Sequence, residues 1–189
     1  MKSFLSFLLI LSLNVNANTS GLSITFDKAV RMDPIGRMNL IGQSTKLTSF
    51  IPLYTCGLYV PHGRAKFKYI LDESSPKRIE IIWQSPLGFD TLSEYFNSEL
   101  TNILGEEQFI RKKRLINKLL SWMKDVKRGT RISLEYYPDA GTRVIIDGEK
   151  KGQLIGAEIN RGLMRIWVNP DAVNDPFQKE LLQKASTSQ

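Results

Sequence analysis

Residues Ile132 to Leu182 read ISLEYYPDAGTRVIIDGEKKGQLIGAEINRGLMRIWVNPDAVNDPFQKELL, and the order of elements within them decides the fold. Ile132, Leu134 and Tyr136 alternate with Ser133, Glu135 and Tyr137, the period of a half-buried strand. Pro138-Asp139-Ala140-Gly141 supplies a turn, Thr142 to Ile146 a second strand, and Asp147-Gly148 a second reversal into Gln153 to Ile155. Strands joined by turns this short pair antiparallel, so the three form a meander. The period then lengthens: Ala157 to Val168 places Ile159, Gly162, Leu163 and Ile166 on one helical face, opposite Asn160, Arg161 and Arg165. Asn174 or Asp175 can cap a last helix that carries Pro176 at its first position.

Upstream, the same two periods recur. Glu106 to about Val126 is an amphipathic helix whose Phe109, Ile116, Leu119, Leu120 and Met123 fall within one arc. Its acids Glu106 and Glu107 stand at the start and Lys124, Lys127 and Arg128 at the end, as the helix dipole favours, and Gly129 closes it. Before Gly105 lies another helix, with Leu92, Tyr95, Phe96, Leu100 and Ile103 at helical spacing and Thr91-x-x-Glu94 as a capping box. Gly21 to Val30, Met38 to Gly42, Lys46 to Val60 and Arg78 to Trp83 are strand-like in composition, and Ala65 to Leu71 reads as a short strand or connector. With no repeat or linker, the reading is one α+β domain over residues 18–189: an antiparallel sheet with helices packed on one face.

A chain of 189 residues with 42% apolar content is large enough for one core. Residues 1–17 stand apart. Lys2 gives a positive start, Phe4 to Leu13 is a short apolar run, and Val15-Asn16-Ala17 offers a cleavage point, the layout of a signal peptide too short to span a bilayer core of ~30 Å. Cleavage after Ala17 leaves 172 residues (189 minus 17) and lowers the formal charge from +7 to +6, and the expected compartment is the periplasm. Cys56 is the sole cysteine, so no disulfide can form within the chain, and it reads as a small buried apolar residue.

The chemistry is sparse. A zinc site needs several nitrogen or sulfur ligands, and His62 is the only histidine, so no metal site is expected; a Ser-His-Asp arrangement is disfavoured for the same reason. No glycine-rich phosphate loop appears, and no cofactor is expected. The run Arg111-Lys112-Lys113-Arg114 reads as a solvated basic face, with Lys112 laying its stem over apolar neighbours; export argues against nucleic acid and leaves weak attraction to an anionic membrane surface. Oligomeric state has no signature.

Tyr136, Tyr137 and Pro138, then Gly141, Thr142, Val144, Ile146 and Gly148, then Leu163, Ile166 and Trp167 occur in the order and spacing of a known pattern. On them the chain closely resembles the bacterial chalcone isomerase-like family. The resemblance implies that the antiparallel sheet is open-faced, with a cleft between the large sheet and the helical layer, used by some members to cyclise a chalcone and by others to bind fatty acids without catalysis. It places Lys46 where the family has an arginine, within Gly42-Gln43-Ser44-Thr45-Lys46, and Tyr54 where the plant enzymes have a threonine. Their helix series has no counterpart here, Thr91, Glu94 and Ser98 falling nearest, and their late Thr-Met pair becomes Ile166 and Trp167. No catalytic residue is assigned.

The expectation is thus an exported, non-catalytic protein that binds a small amphipathic carboxylate or phenolic ligand, such as a fatty acid, through Lys46, Tyr54, Tyr95, Ile166 and Trp167. Two alternatives stay open, an isomerase or intramolecular lyase on another substrate and an envelope interaction module working through its basic helix. Tyr54, Tyr59, Phe96 and Trp167 also read simply as core.

Overall fold

A computed structural model describes residues 24–169 and 175–185. The expected signal peptide, cleavage point and Asn174 lie outside the described residues. Seven strands pair in chain order into one antiparallel sheet: β1 (Ala29–Met32), β2 (Gly36–Thr48), β3 (Ile51–Pro61), β4 (Lys77–Trp83), β5 (Arg131–Tyr137), β6 (Gly141–Ile146) and β7 (Glu149–Leu154). Helix α1 (Phe67–Leu71) joins β3 to β4, α2 (Phe89–Leu104) and α3 (Glu106–Met123) join β4 to β5, and α4 (Ala157–Trp167) and α5 (Pro176–Leu181) follow β7.

The helices cover one face, and the main core lies between them and the sheet. Cys56, Leu58 and Val60 of β3, Ile79, Ile81 and Trp83 of β4, and Ile132 and Leu134 of β5 meet Leu92, Phe96 and Leu100 of α2, Ile116, Leu119 and Leu120 of α3, and Leu163 and Trp167 of α4. The buried stripe of α3 is the one its sequence spacing predicts. Cys56 is fully buried and burial pushes its thiol well up, so it is an inert core residue.

The hairpin turn Asp147-Gly148 has φ of +50° and +82°, both positive, as a two-residue turn of matching twist requires. Gly42 marks a close approach of backbones. A Cβ there would lie 2.2 Å from the carbonyl oxygen of Leu181, so glycine alone lets α5 settle on β2. Ser44 Oγ donates to Glu180 Oε2 (2.8 Å) and the Lys184 amide to the Ile41 carbonyl (2.9 Å), fixing the helix there.

Several local expectations are corrected. No capping box starts α2. The helix begins at Phe89, two residues earlier, and Asp125, beyond α3, accepts the Phe89 amide (2.8 Å). Helix α3 stops at Met123, not near Val126, because Val126 leaves to exchange backbone hydrogen bonds with Leu87. Residues Phe67–Leu71 form a helical turn, and among the described residues of the predicted first strand β1 begins at Ala29. Asp175 is the α5 cap, its carboxylate accepting the Phe177 amide (2.8 Å).

The sheet's other face holds a feature that strand alternation conceals. Phe26, Met32, Met38, Tyr59, Ile82 and Tyr137 form a second, smaller apolar cluster. Beside it Glu80 and Glu135, each only 3% exposed, are enclosed by arginines: Arg78 pairs with both, Arg131 with Glu80 and Arg143 with Glu135. Tyr137 donates to Glu135 (2.9 Å) and Arg78 to Ser133 (3.1 Å). Charge is tolerable there because each carboxylate is met by more than one donor.

Candidate functional site

The segment Gly42-Gln43-Ser44-Thr45-Lys46 lies in β2, so Gly42, Ser44 and Lys46 project from one face, the face α5 covers. Gly42 admits the helix and Ser44 ties it. Lys46 reaches its end, with Nζ 5.6 Å from the ring centre of Phe177. Its partner across the strand pair is Tyr54 of β3, so these two expected site residues are neighbours by register.

Tyr54 turns inward and is 2% exposed. Its ring meets Trp83 edge-on at 5.3 Å and Phe177 at 6.4 Å, and its hydroxyl lies 3.2 Å from that of Tyr95 on α2. Burial pushes the Tyr54 hydroxyl well above the usual phenol range, reinforced by the Tyr95 oxygen, and burial takes Tyr95 to about 12. Both are therefore neutral donors at neutral pH. Trp167, at the end of α4, packs against Phe96 (6.4 Å). Its indole N–H opposes the rise at Tyr54, yet forms no hydrogen bond of normal geometry and is buried without a partner, as is the Trp83 indole N–H. Four polar groups thus sit inside an aromatic cluster with only the tyrosine pair mutually satisfied.

At Lys46 opens a cleft of about 350 Å³. Lys46 comes from β2, Glu99, Asn102 and Ile103 from α2, Arg165 and Ile166 from α4, and Asn169, Asp175 and Gln178 from the region that precedes and begins α5. The Asn169 amide donates to Gln178 Oε1 (3.0 Å), which ties the end of α4 to α5. Among the described residues neither Lys46 nor Arg165 forms an ion pair, although Glu99 and Asp175 line the same cleft, and Arg165 Nε is buried without a hydrogen bond.

The structure divides the expected residues into two groups. Lys46 and Ile166 line the cleft, whereas Tyr54, Tyr95 and Trp167 do not and belong to the aromatic cluster. Sequence reading missed Trp83, Phe177 and Arg165. Arg165 was assigned to the solvent side of its helix, and only the docking of α4 on α2, where a Cβ at Gly162 would lie 3.0 Å from Leu104, brings it to a cleft wall. His62 is exposed in the turn after β3. The basic run of α3 is largely engaged within the molecule: Arg111 pairs with Glu107, Lys112 with Glu158 of α4, and Lys113 stacks over Phe109 (4.5 Å).

The model of the chalcone isomerase-like family matches residues 21–183. A crystal structure of a fatty-acid binding protein of Arabidopsis thaliana aligns with a TM-score of 0.60 at 14% sequence identity, covering 82% of this chain and 95% of that one. At that identity the likeness is one of fold. No curated protein matches the chain.

Proposed function

The chain belongs to the chalcone isomerase-like family, and on that premise we propose that it binds a small amphipathic carboxylate, of which a fatty acid is the leading example, without converting it. One observation carries the reading: Lys46 and Arg165 converge on a single cleft with neither charge spent in an ion pair among the described residues. A half-buried cation that forms no ion pair among the described residues is costly, and a ligand carboxylate would offset that cost with charge-assisted hydrogen bonds. Ile103 and Ile166 give the apolar part of the ligand a surface, and the cleft volume is at the lower end of the range for small-molecule sites. The Arabidopsis neighbour is described as a fatty-acid binding protein, which lends the ligand class support through the shared fold.

The chemistry favours holding over turnover. Proton transfer at neutral pH calls for a group that titrates near 7. Tyr54 and Tyr95 are moved away from that range, and the hydroxyl pair contacts neither carboxylate nor imidazole among the described residues. In this reading Tyr54, Tyr95 and Trp167 act as the packed support of Lys46 and Ile166 rather than as ligand contacts. The protein acts in the periplasm after losing residues 1–17, a proposal resting on the N-terminal sequence alone. Native mass spectrometry of protein recovered from the periplasm tests both parts. A mature mass starting at Asn18 and an adduct of fatty-acid mass that is absent from Lys46→Ala are expected; protein without adduct that also fails to take up added long-chain acids would overturn the binding proposal.

A further inference from the structure

The β2–β3 hairpin closes through Ser49 and Phe50, with φ of +48° and +68°. This is the same left-handed pair of conformations that Asp147 and Gly148 adopt at the β6–β7 hairpin. Turns of that kind favour Asn-Gly or Asp-Gly, and a bulky side chain in the left-handed region is strained. The chain uses the favoured residues at one turn and a phenylalanine at the other. Phe50 adds nothing to the core, since it is 95% exposed, and on either side of it Leu47 is 51% and Ile51 61% exposed. Three large apolar side chains within five residues thus stand in water on a turn whose backbone disfavours one of them. No charged residue occurs from Leu47 to Pro61, and the nearest charge is the cation Lys46.

We propose that this hairpin tip is a docking point for a lipid surface, entering the headgroup boundary with Phe50 foremost. Two properties of the tip select that occupant. Its three side chains together fall well short of the roughly 800 Å² that each partner of a stable protein interface buries, so a second copy could not be held by it. A bilayer needs no complementary surface, accepts a projecting apolar point, and is attracted rather than repelled by a lysine at its base. Among the described residues no helix is long and apolar enough to cross a membrane, so the contact is one of surface insertion. Lys46 is both the wall of the cleft and the residue before the tip, so docking would bring the cleft mouth to the lipid boundary. That last consequence rests on the ligand reading; the docking does not.

The test uses vesicles free of fatty acid, so failure of docking and failure of ligand binding are separate results. Cys56 is fully buried, so Phe50→Cys and Ile155→Cys variants of the full chain can each be labelled with an environment-sensitive nitrobenzoxadiazole dye at one position. Ile155 is 75% exposed and follows β7 at the opposite end of the sheet from the tip, which makes it the control. On adding phosphatidylcholine vesicles, with or without phosphatidylglycerol and at low or high salt, the dye at position 50 is expected to brighten several-fold and the dye at 155 to stay unchanged. Phe50→Ser with Ile51→Ser should lower vesicle partitioning by about tenfold or more, the factor for one such side chain no longer being buried, with the circular dichroism spectrum preserved. No brightening at position 50 would overturn the proposal, as would equal brightening at both sites, loss of binding in high salt, or concentration-dependent brightening without vesicles, which would mean self-association.

Discussion

Replacing Gly42 by alanine tests how the cleft is assembled. The added Cβ would lie 2.2 Å from the Leu181 oxygen and 2.5 Å from that of Glu180, where about 3.0 Å is the closest real Cβ atoms come. Backbone must therefore part from backbone by at least 0.8 Å (3.0 minus 2.2), and neither side has a flexible end to give. If α5 shifts in place, overpacking costs about 1–3 kcal/mol. If it lifts off, the burial of Leu181, worth about 1.5–3 kcal/mol, is lost. The Ser44–Glu180 and Lys184–Ile41 hydrogen bonds go with it, at about 1 kcal/mol each. The total is then roughly 3.5–5 kcal/mol. Urea unfolding measures the sum, and hydrogen exchange at the Lys184 amide separates the two cases, since its bond to the Ile41 carbonyl exists only while α5 is docked on β2. Ser44→Ala should cost about 1 kcal/mol, the hydrogen bond alone. An unfolding free energy of Gly42→Ala within about 0.5 kcal/mol of the parent, the range of a neutral surface change, would refute the reasoning. Phe177 and Gln178 are on the same helix, so the variant should also bind ligand more weakly.

Other parts of the account are open to test. Lys77 is 1% exposed, its ammonium donates to the Asp72 carbonyl (2.6 Å), and burial lowers it from 10.5 to about 8. The unfolded chain then binds more protons between pH 8 and 10.5, so the Lys77 contribution to stability rises with pH across that window. The parent minus Lys77→Met difference in unfolding free energy should climb by an amount on the order of 3 kcal/mol, and a flat difference would count against a buried ammonium. Above pH 10 the buried tyrosines pull the other way, because Tyr59, Tyr95 and Tyr137 are raised to about 12 and the unfolded chain loses their protons first. Glu135→Ala removes one of the two carboxylates that Arg78 pairs with and the one that Arg143 pairs with, and with Glu80 still holding Arg78 it should cost about 1–3 kcal/mol in chemical denaturation. A loss below about 1 kcal/mol would mean the network behaves as exposed pairs do.

Much of the architecture is legible in the sequence because it is encoded locally. The strand over Ile132–Tyr137, the Asp147-Gly148 turn and the apolar arc of α3 each follow from backbone period and turn chemistry and stand in the structure, although β5 is buried on both faces where its alternation predicts one. Sequence reading broke the strand between Gly42 and Lys46, so that Gly42, Ser44 and Lys46 share one face of β2 is seen only in the structure. Nor could it convey that α5, some 135 residues on, needs Gly42 bare and uses Ser44 as a latch. The capping box failed for a similar reason, since a carboxylate from Asp125 satisfies the first turn of α2 from a distance. Glu80 and Glu135 alternate with apolar residues as solvent-facing residues do, and only the arginines of neighbouring strands reveal them as buried. Tyr54 could be placed on β3 beside Lys46, but its contacts with Trp83 and Tyr95 depend on the register of β4 and the seating of α2.

The central claim is that Lys46, which forms no ion pair among the described residues, receives a ligand carboxylate in this cleft. Titration calorimetry with a saturated long-chain acid below its micelle concentration addresses it directly, on the parent, Lys46→Ala and Lys46→Arg. The account predicts saturable binding at one site per chain, weakened by about 10- to 150-fold in Lys46→Ala, which corresponds to loss of a charged hydrogen bond of about 1.5–3 kcal/mol, and largely kept in Lys46→Arg. Absence of saturable binding by the parent, or equal affinity of Lys46→Ala, would contradict it.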